Sequence, residues 1–148
     1  MAPDKKKQVL SRMQRYCARE DRSVQKVREK LYAIEELSGQ EREEIIEQLI
    51  ADRYLDERRF VENYIRSMVN QKRWGVQKIR HGLIRHRIPE NMIDQGLEQI
   101  DQDRYQENLS SLLKIRMEKS EDRSSWIRYL LQKGFEYDEI VSAIEKMG

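Results

Sequence analysis

Between Asn63 and Pro89 the chain carries no Asp or Glu, while Arg66, Lys72, Arg73, Lys78, Arg80, Arg85 and Arg87 all fall inside that stretch. Acidic residues flank it on both sides: Glu35, Glu36, Glu41, Glu43, Glu44 and Glu47 before, Glu90, Asp94, Glu98, Asp101 and Asp103 after. The chemistry such a polarised segment could perform is contact with phosphates. Each Lys or Arg that neutralises a phosphate releases counterions, so binding falls steeply with salt. The plain alternative is a solvated helix face. The candidate contact residues are Lys72, Arg73, Lys78, Arg80, Arg85 and Arg87, and Trp74 could stack on a base, although its place at a helix junction favours packing.

Other chemistry finds no support in residue types and spacing. His81 and His86 are five apart on an expected helix, not three or four, and no third ligand is visible, so no metal is expected. Cys17 has no histidine near it in sequence and reads as a small buried or half-buried side chain. There is no glycine-rich phosphate loop and no Gly-x-Ser-x-Gly, so neither catalysis nor a cofactor is expected. With 29 Lys+Arg against 27 Asp+Glu, the net charge of +2 gives no strong whole-molecule field, and local clustering must carry any polyanion contact. A single cysteine and the lack of a long apolar run predict a cytoplasmic protein without a membrane span.

Charged residues make up 38% of the 148 residues and mean hydropathy is −0.94, yet the apolar residues are regularly spaced, which predicts a folded chain. They also repeat. Val24, Gln25, Lys26, Val27, Arg28 and Leu31 align with Val76, Gln77, Lys78, Ile79, Arg80 and Leu83 at a constant offset of 52 residues. Ile46 and Ile50 pair with Ile93 and Leu97 at an offset of 47, which puts extra residues in the first copy's connection near Leu37 to Glu41. Applied again, the offset of 47 carries Ile79, Leu83, Ile84, Ile88, Ile93, Gly96 and Leu97 onto Trp126, Leu130, Leu131, Phe135, Ile140, Ala143 and Ile144. A third copy that keeps the apolar, inward-facing skeleton and loses the charges predicts a shared fold with a different surface.

The elements that must position the basic residues are helices. In the middle copy Phe60, Val61, Tyr64, Ile65, Met68 and Val69 form one stripe, Val76, Ile79, Leu83 and Ile84 a second, and Met92, Ile93, Leu97 and Ile100 a third. Expected caps are Ser23, the box Ser38 with Glu41, Gly75, and Gly134 as a stop; Pro89 belongs in a helix's first turn. Strand and hairpin signals are absent. The expectation is an all-α chain of three tandem three-helix repeats forming an elongated, curved array: a tail over 1–10, then repeats over 11–56, 57–100 and 101–148. Tyr54, Leu55, Trp74, Trp126 and Tyr137 are expected in packing contacts.

The runs RYCAREDRS (Arg15 to Ser23), YLDERRFVENY (Tyr54 to Tyr64), RWGVQKIRHGL (Arg73 to Leu83) and YLLQKGFEYDEIV (Tyr129 to Val141) resemble, in order, the successive signatures of the RecX regulatory proteins. The resemblance covers nearly all of the chain after about the first ten residues. It implies three tandem three-helix repeats and a modulator that binds RecA and the RecA-DNA filament, inhibiting strand exchange, ATP hydrolysis and coprotease activity in the DNA-damage (SOS) response. It implies no enzyme; weak direct DNA contact and a monomeric state accompany the reading. Two positions depart from the family pattern: Val61 stands where Ala is common, and Arg53 where Gly is common. A DNA-binding regulator and a helical-repeat adaptor not acting on RecA are the alternatives.

Overall fold

The computed structural model describes residues 2–148. Its helices are α1 (Ala2–Arg19), α2 (Val24–Tyr32), α3 (Gly39–Ala51), α4 (Glu57–Ser67), α5 (Val76–Arg85), α6 (Glu90–Glu98), α7 (Gln102–Lys119), α8 (Arg123–Gln132) and α9 (Tyr137–Met147). A π-helical turn, Met68–Lys72, prolongs α4, and no strand occurs among the described residues. The fold is the expected all-α one. No helix among the described residues is long and apolar enough to cross a membrane. Two compact units divide the chain inside α4: Met1–Asn63 and Tyr64–Gly148.

In the first unit, Val9, Met13 and Cys17 recur every four residues and give α1 one buried face. It packs with Val27 and Leu31 of α2 and Ile45, Ile46 and Leu49 of α3. Each aliphatic side chain removed from water here contributes roughly 1.5–3 kcal/mol. The segment 1–10, expected as a tail, is helical from Ala2 and sends Val9 into the core; Met1 lies outside the described residues. Cys17 is buried, and that burial raises its thiol pKa.

The caps follow local chemistry. Ser23 Oγ accepts from Lys26 N–H, and Ser38 and Glu41 form the reciprocal capping box. Arg42 closes the other end of α2, donating to the carbonyls of Leu31 and Ile34 at 3.0 and 2.8 Å. Gly75 is the N-cap of α5, and Gly134 follows α8 with φ +102°, as a stop requires. Pro89 lies one residue before the first turn, as the N-cap of α6.

The second unit is built on α7, whose Tyr105, Leu109, Leu112 and Leu113 meet Leu130 of α8 and Ile140 and Ile144 of α9 in a buried interior. Ile79, Leu83 and Ile93 bury the inner faces of α5 and α6. The π turn packs on α7, where buried Asn108 donates to Val69 C=O at 2.8 Å. One part of the expected skeleton faces the other way. Ile84 and Leu131 are placed inward by the repeat alignment, yet they are 54% and 46% exposed, as is Ile50 at 48%. Each follows a fully buried leucine by one residue, about 100° further around its helix, so only one of the pair reaches the core. Tyr137, expected in packing, is exposed as well, whereas Trp126 is half-buried and donates Nε1–H to Ser120 C=O.

A candidate phosphate-facing surface

The basic segment is positioned by the start of α5. The π turn ends at Arg73 in the left-handed region, φ +56°, and Trp74 N–H returns to Met68 C=O at 3.0 Å. That turn sets Lys72 and Arg73 on the exposed rim, while Trp74 is half-buried with Lys78 Nζ 4.6 Å from its ring centroid. Three amides at the head of α5 are consumed inside the protein. Gly75 N–H donates to Lys133 C=O at 2.8 Å, Val76 N–H to the Tyr105 hydroxyl at 3.0 Å, and Gln77 N–H to Gly134 C=O at 2.9 Å. With these three donors engaged, an anion at this end is held mainly by side chains.

Two glycines make the contact with the α8–α9 corner. A Cβ on Gly75 would stand 2.3 Å from the Gly134 carbonyl carbon, and one on Gly134 2.5 Å from Lys78 Cβ. The close approach brings in a cation from far along the chain: Lys133 Nζ donates to Lys72 C=O at 3.1 Å. Partial burial and the like charges of Lys78, Arg73 and Lys72 lower the Lys133 pKa, in that order of size. Among the described residues, none of Lys72, Arg73, Lys78 and Lys133 has a carboxylate at ion-pair distance.

Tyr105 anchors the same end from α7. Its hydroxyl accepts from Val76 N–H and donates to Glu139 Oε1 at 3.3 Å, and burial raises its pKa well above the ordinary phenol value. Tyr105 also packs on Phe135, ring centroids 5.3 Å apart.

The six nominated residues thus separate. Lys72, Arg73 and Lys78 gather at the head of α5 with Lys133, which sequence reasoning missed. Arg80 turns to another side, bound to Asp94 at 2.9 Å beside Glu98 and Glu136. Arg85 lies about 10 Å further along the helix, where its charge tempers the burial-driven rise in the Tyr64 pKa. Arg87, at φ +57°, is exposed beyond the helix end. His86 sits edge-on to Tyr64, ring centroids 5.8 Å apart. No group of three or more His, Cys, Asp or Glu among the described residues is placed to hold a metal ion.

These helices define the chain as an all-α protein. The family model described as "RecX, second three-helix domain" matches residues 56–97, the stretch that holds α4 to α6. The regulatory protein RecX of Clostridium tetani is 29% identical, over 71% of this chain and 51% of that one. Its counterpart from Bacillus mycoides is 24% identical, over 70% of this chain and 41% of that one. The chain thus spans about half the length of the curated relatives it matches. A crystal structure of RecX from Lactobacillus salivarius superposes with a TM-score of 0.85 at 24% identity, covering 97% of both chains. A further crystal structure of regulatory protein RecX gives 0.84 at 23%, covering 97% of this chain and 73% of the other. The chain is similar to RecX proteins in sequence over residues 56–97 and shares their fold along 97% of its length.

Proposed function

We propose that this protein is a non-catalytic regulator that binds RecA and its DNA-bound filament and restrains recombinase, ATPase and coprotease activity. Under this reading it acts in the cytoplasm as a monomer and touches DNA weakly through its basic segment, with three-helix repeats over 11–56, 57–100 and 101–148. The observation that carries the reading is the cationic group at the head of α5, which has no carboxylate at ion-pair distance among the described residues and whose Lys72, Arg73 and Lys78 lie within the stretch that matches the RecX family model. Such a group suits a partner that is already a protein–polyanion complex. The nominated contacts are Lys72, Arg73 and Lys78, with Arg85 and Arg87 further along; Arg80 is the least available because Asp94 holds it.

The test is the single-stranded-DNA-dependent ATPase of RecA, titrated with this protein from well below to above the RecA concentration. The expected result is inhibition at a small fraction of RecA. Full ATPase activity across the range, with filaments verified, would remove the reading in favour of a DNA-binding regulator or an adaptor for another protein.

A further inference from the structure

The charges at the head of α5 come from two places in the chain. Lys72, Arg73 and Lys78 belong to the middle copy's basic run, whereas Lys133 lies 61 residues beyond Lys72, at the end of α8. Nothing in the local sequence of Lys133 marks it as basic-run chemistry; Glu136, Asp138 and Glu139 follow it closely. It arrives because Gly75 and Gly134 let two backbones meet, and its ammonium is then fixed against the Lys72 carbonyl. Gathering four like charges with no carboxylate at ion-pair distance among the described residues is unfavourable in the free protein; partial burial first, and then the charges of Lys78, Arg73 and Lys72, lower the Lys133 pKa. A bound polyanion would relieve it.

We propose that Lys72, Arg73, Lys78 and Lys133, together with the ring of Trp74, form one composite site for the phosphodiester backbone of single-stranded nucleic acid. The site deepens the proposed function and rests on its polyanion-contacting role. Lysine ammoniums are point charges on flexible stems, suited to phosphates in no fixed register. With three α5 amides already engaged, recognition falls to these side chains and is independent of base sequence. Trp74 selects the strand state. It is partly exposed beside the cations, and stacking on it needs a base free of its duplex neighbours. An acidic protein surface would use the charges and leave the ring idle.

The experiment is fluorescence anisotropy of a labelled oligothymidylate, without RecA, against the full chain and its Lys133→Ala, Lys133→Glu and Lys146→Glu variants. Lys146 is an exposed lysine on α9 and serves as the charge-matched control. Helical content and thermal midpoint are checked for each variant. Lys133→Glu is expected to weaken binding about tenfold or more at low salt, and Lys133→Ala to reduce the salt slope by about 0.7, the value for one phosphate contact on a single strand. Lys146→Glu should change neither, and duplex DNA and polyglutamate should compete poorly. Unchanged affinity and slope in both Lys133 variants would overturn the site. So would equal losses in Lys133→Glu and Lys146→Glu, or competition by polyglutamate as strong as by the oligonucleotide, which would point to an acidic protein face. If Lys133 proves irrelevant to strand binding while the wild type still inhibits the RecA ATPase, the site falls and the regulator reading stands. Strand binding through Lys133 with no ATPase inhibition does the reverse.

Discussion

The first unit pairs several of its cations with carboxylates from distant parts of its own fold, and the second gathers a group of cations with no such partner among the described residues. Lys5 pairs with Glu36, Lys6 with Glu44, Arg28 with Glu43 and Arg59 with Asp21, all at 3.1 Å or less. In the second unit Arg80 has Asp94, but Lys72, Arg73, Lys78 and Lys133 have no carboxylate at that distance among the described residues. Both units bury similar aliphatic interiors, so the contrast is one of surface. Charges that a fold keeps together against their repulsion must be held by something stronger, and here that is the glycine contact between the head of α5 and the α8–α9 corner.

Breaking that contact should produce the largest effect. Gly134→Ala places a Cβ at φ +102° and 2.5 Å from Lys78 Cβ. Overpacking and the positive φ together are expected to cost about 2–4 kcal/mol, read from the urea midpoint. The same change at Gly39, where a Cβ meets nothing within 4 Å, should stay within about 0.5 kcal/mol. Equal midpoints for the two variants would mean that the contact does not organise the second unit.

Tyr105→Phe comes next. It removes the acceptor for Val76 N–H at the head of α5 and is expected to cost about 1–2 kcal/mol in the same measurement. Tyr32→Phe in the first unit, a residue 66% exposed, should cost nothing measurable. A Tyr105→Phe midpoint matching wild type would show that another group satisfies Val76.

Much of this was legible because caps and stripes are local. Ser23, the Ser38–Glu41 box, Gly75 and Gly134 each act within a few residues, and each does what its type and place suggested. The all-α class followed from apolar spacing for the same reason. The basic run was visible, but its division was not. Asp94 claims Arg80 from the next helix, and Lys133 joins Lys72 across 61 residues, contacts with no trace in local pattern. Repeat alignment also mistook Ile84 and Leu131 for interior residues, because two copies that share an exposed aliphatic look the same as two that share a buried one.

Backbone strain offers a smaller comparison. Arg53 in the first unit stands where the RecX pattern favours glycine, and it adopts φ +61°. Arg53→Gly is expected to raise stability by about 0.5–1 kcal/mol, since relief of left-handed strain exceeds the added chain entropy. Arg87→Gly, starting from φ +57°, should give a similar gain. A loss at Arg53 would mean that its side chain contributes more than the strain costs.

The smallest effects separate the two surfaces by sign. Glu43→Gln removes an attraction to Arg28, and it should destabilise by less than about 1 kcal/mol at low salt and less still as salt rises. Lys133→Gln removes a repulsion, so it should be stabilising at low salt, and that gain should shrink as salt screens Lys72, Arg73 and Lys78 from the ammonium. Proton linkage gives a second reading of the same group. Because the Lys133 pKa is lowered in the fold, the unfolded chain binds more protons between that value and the ordinary lysine range. Stability from this group must rise with pH across that alkaline window, and Lys133→Gln must remove that increment. Thermal midpoints of the three proteins over salt and pH decide the matter. Salt slopes of the same sign for Glu43→Gln and Lys133→Gln would mean that the charges at the head of α5 are dispersed in solution and that the two units differ in composition alone.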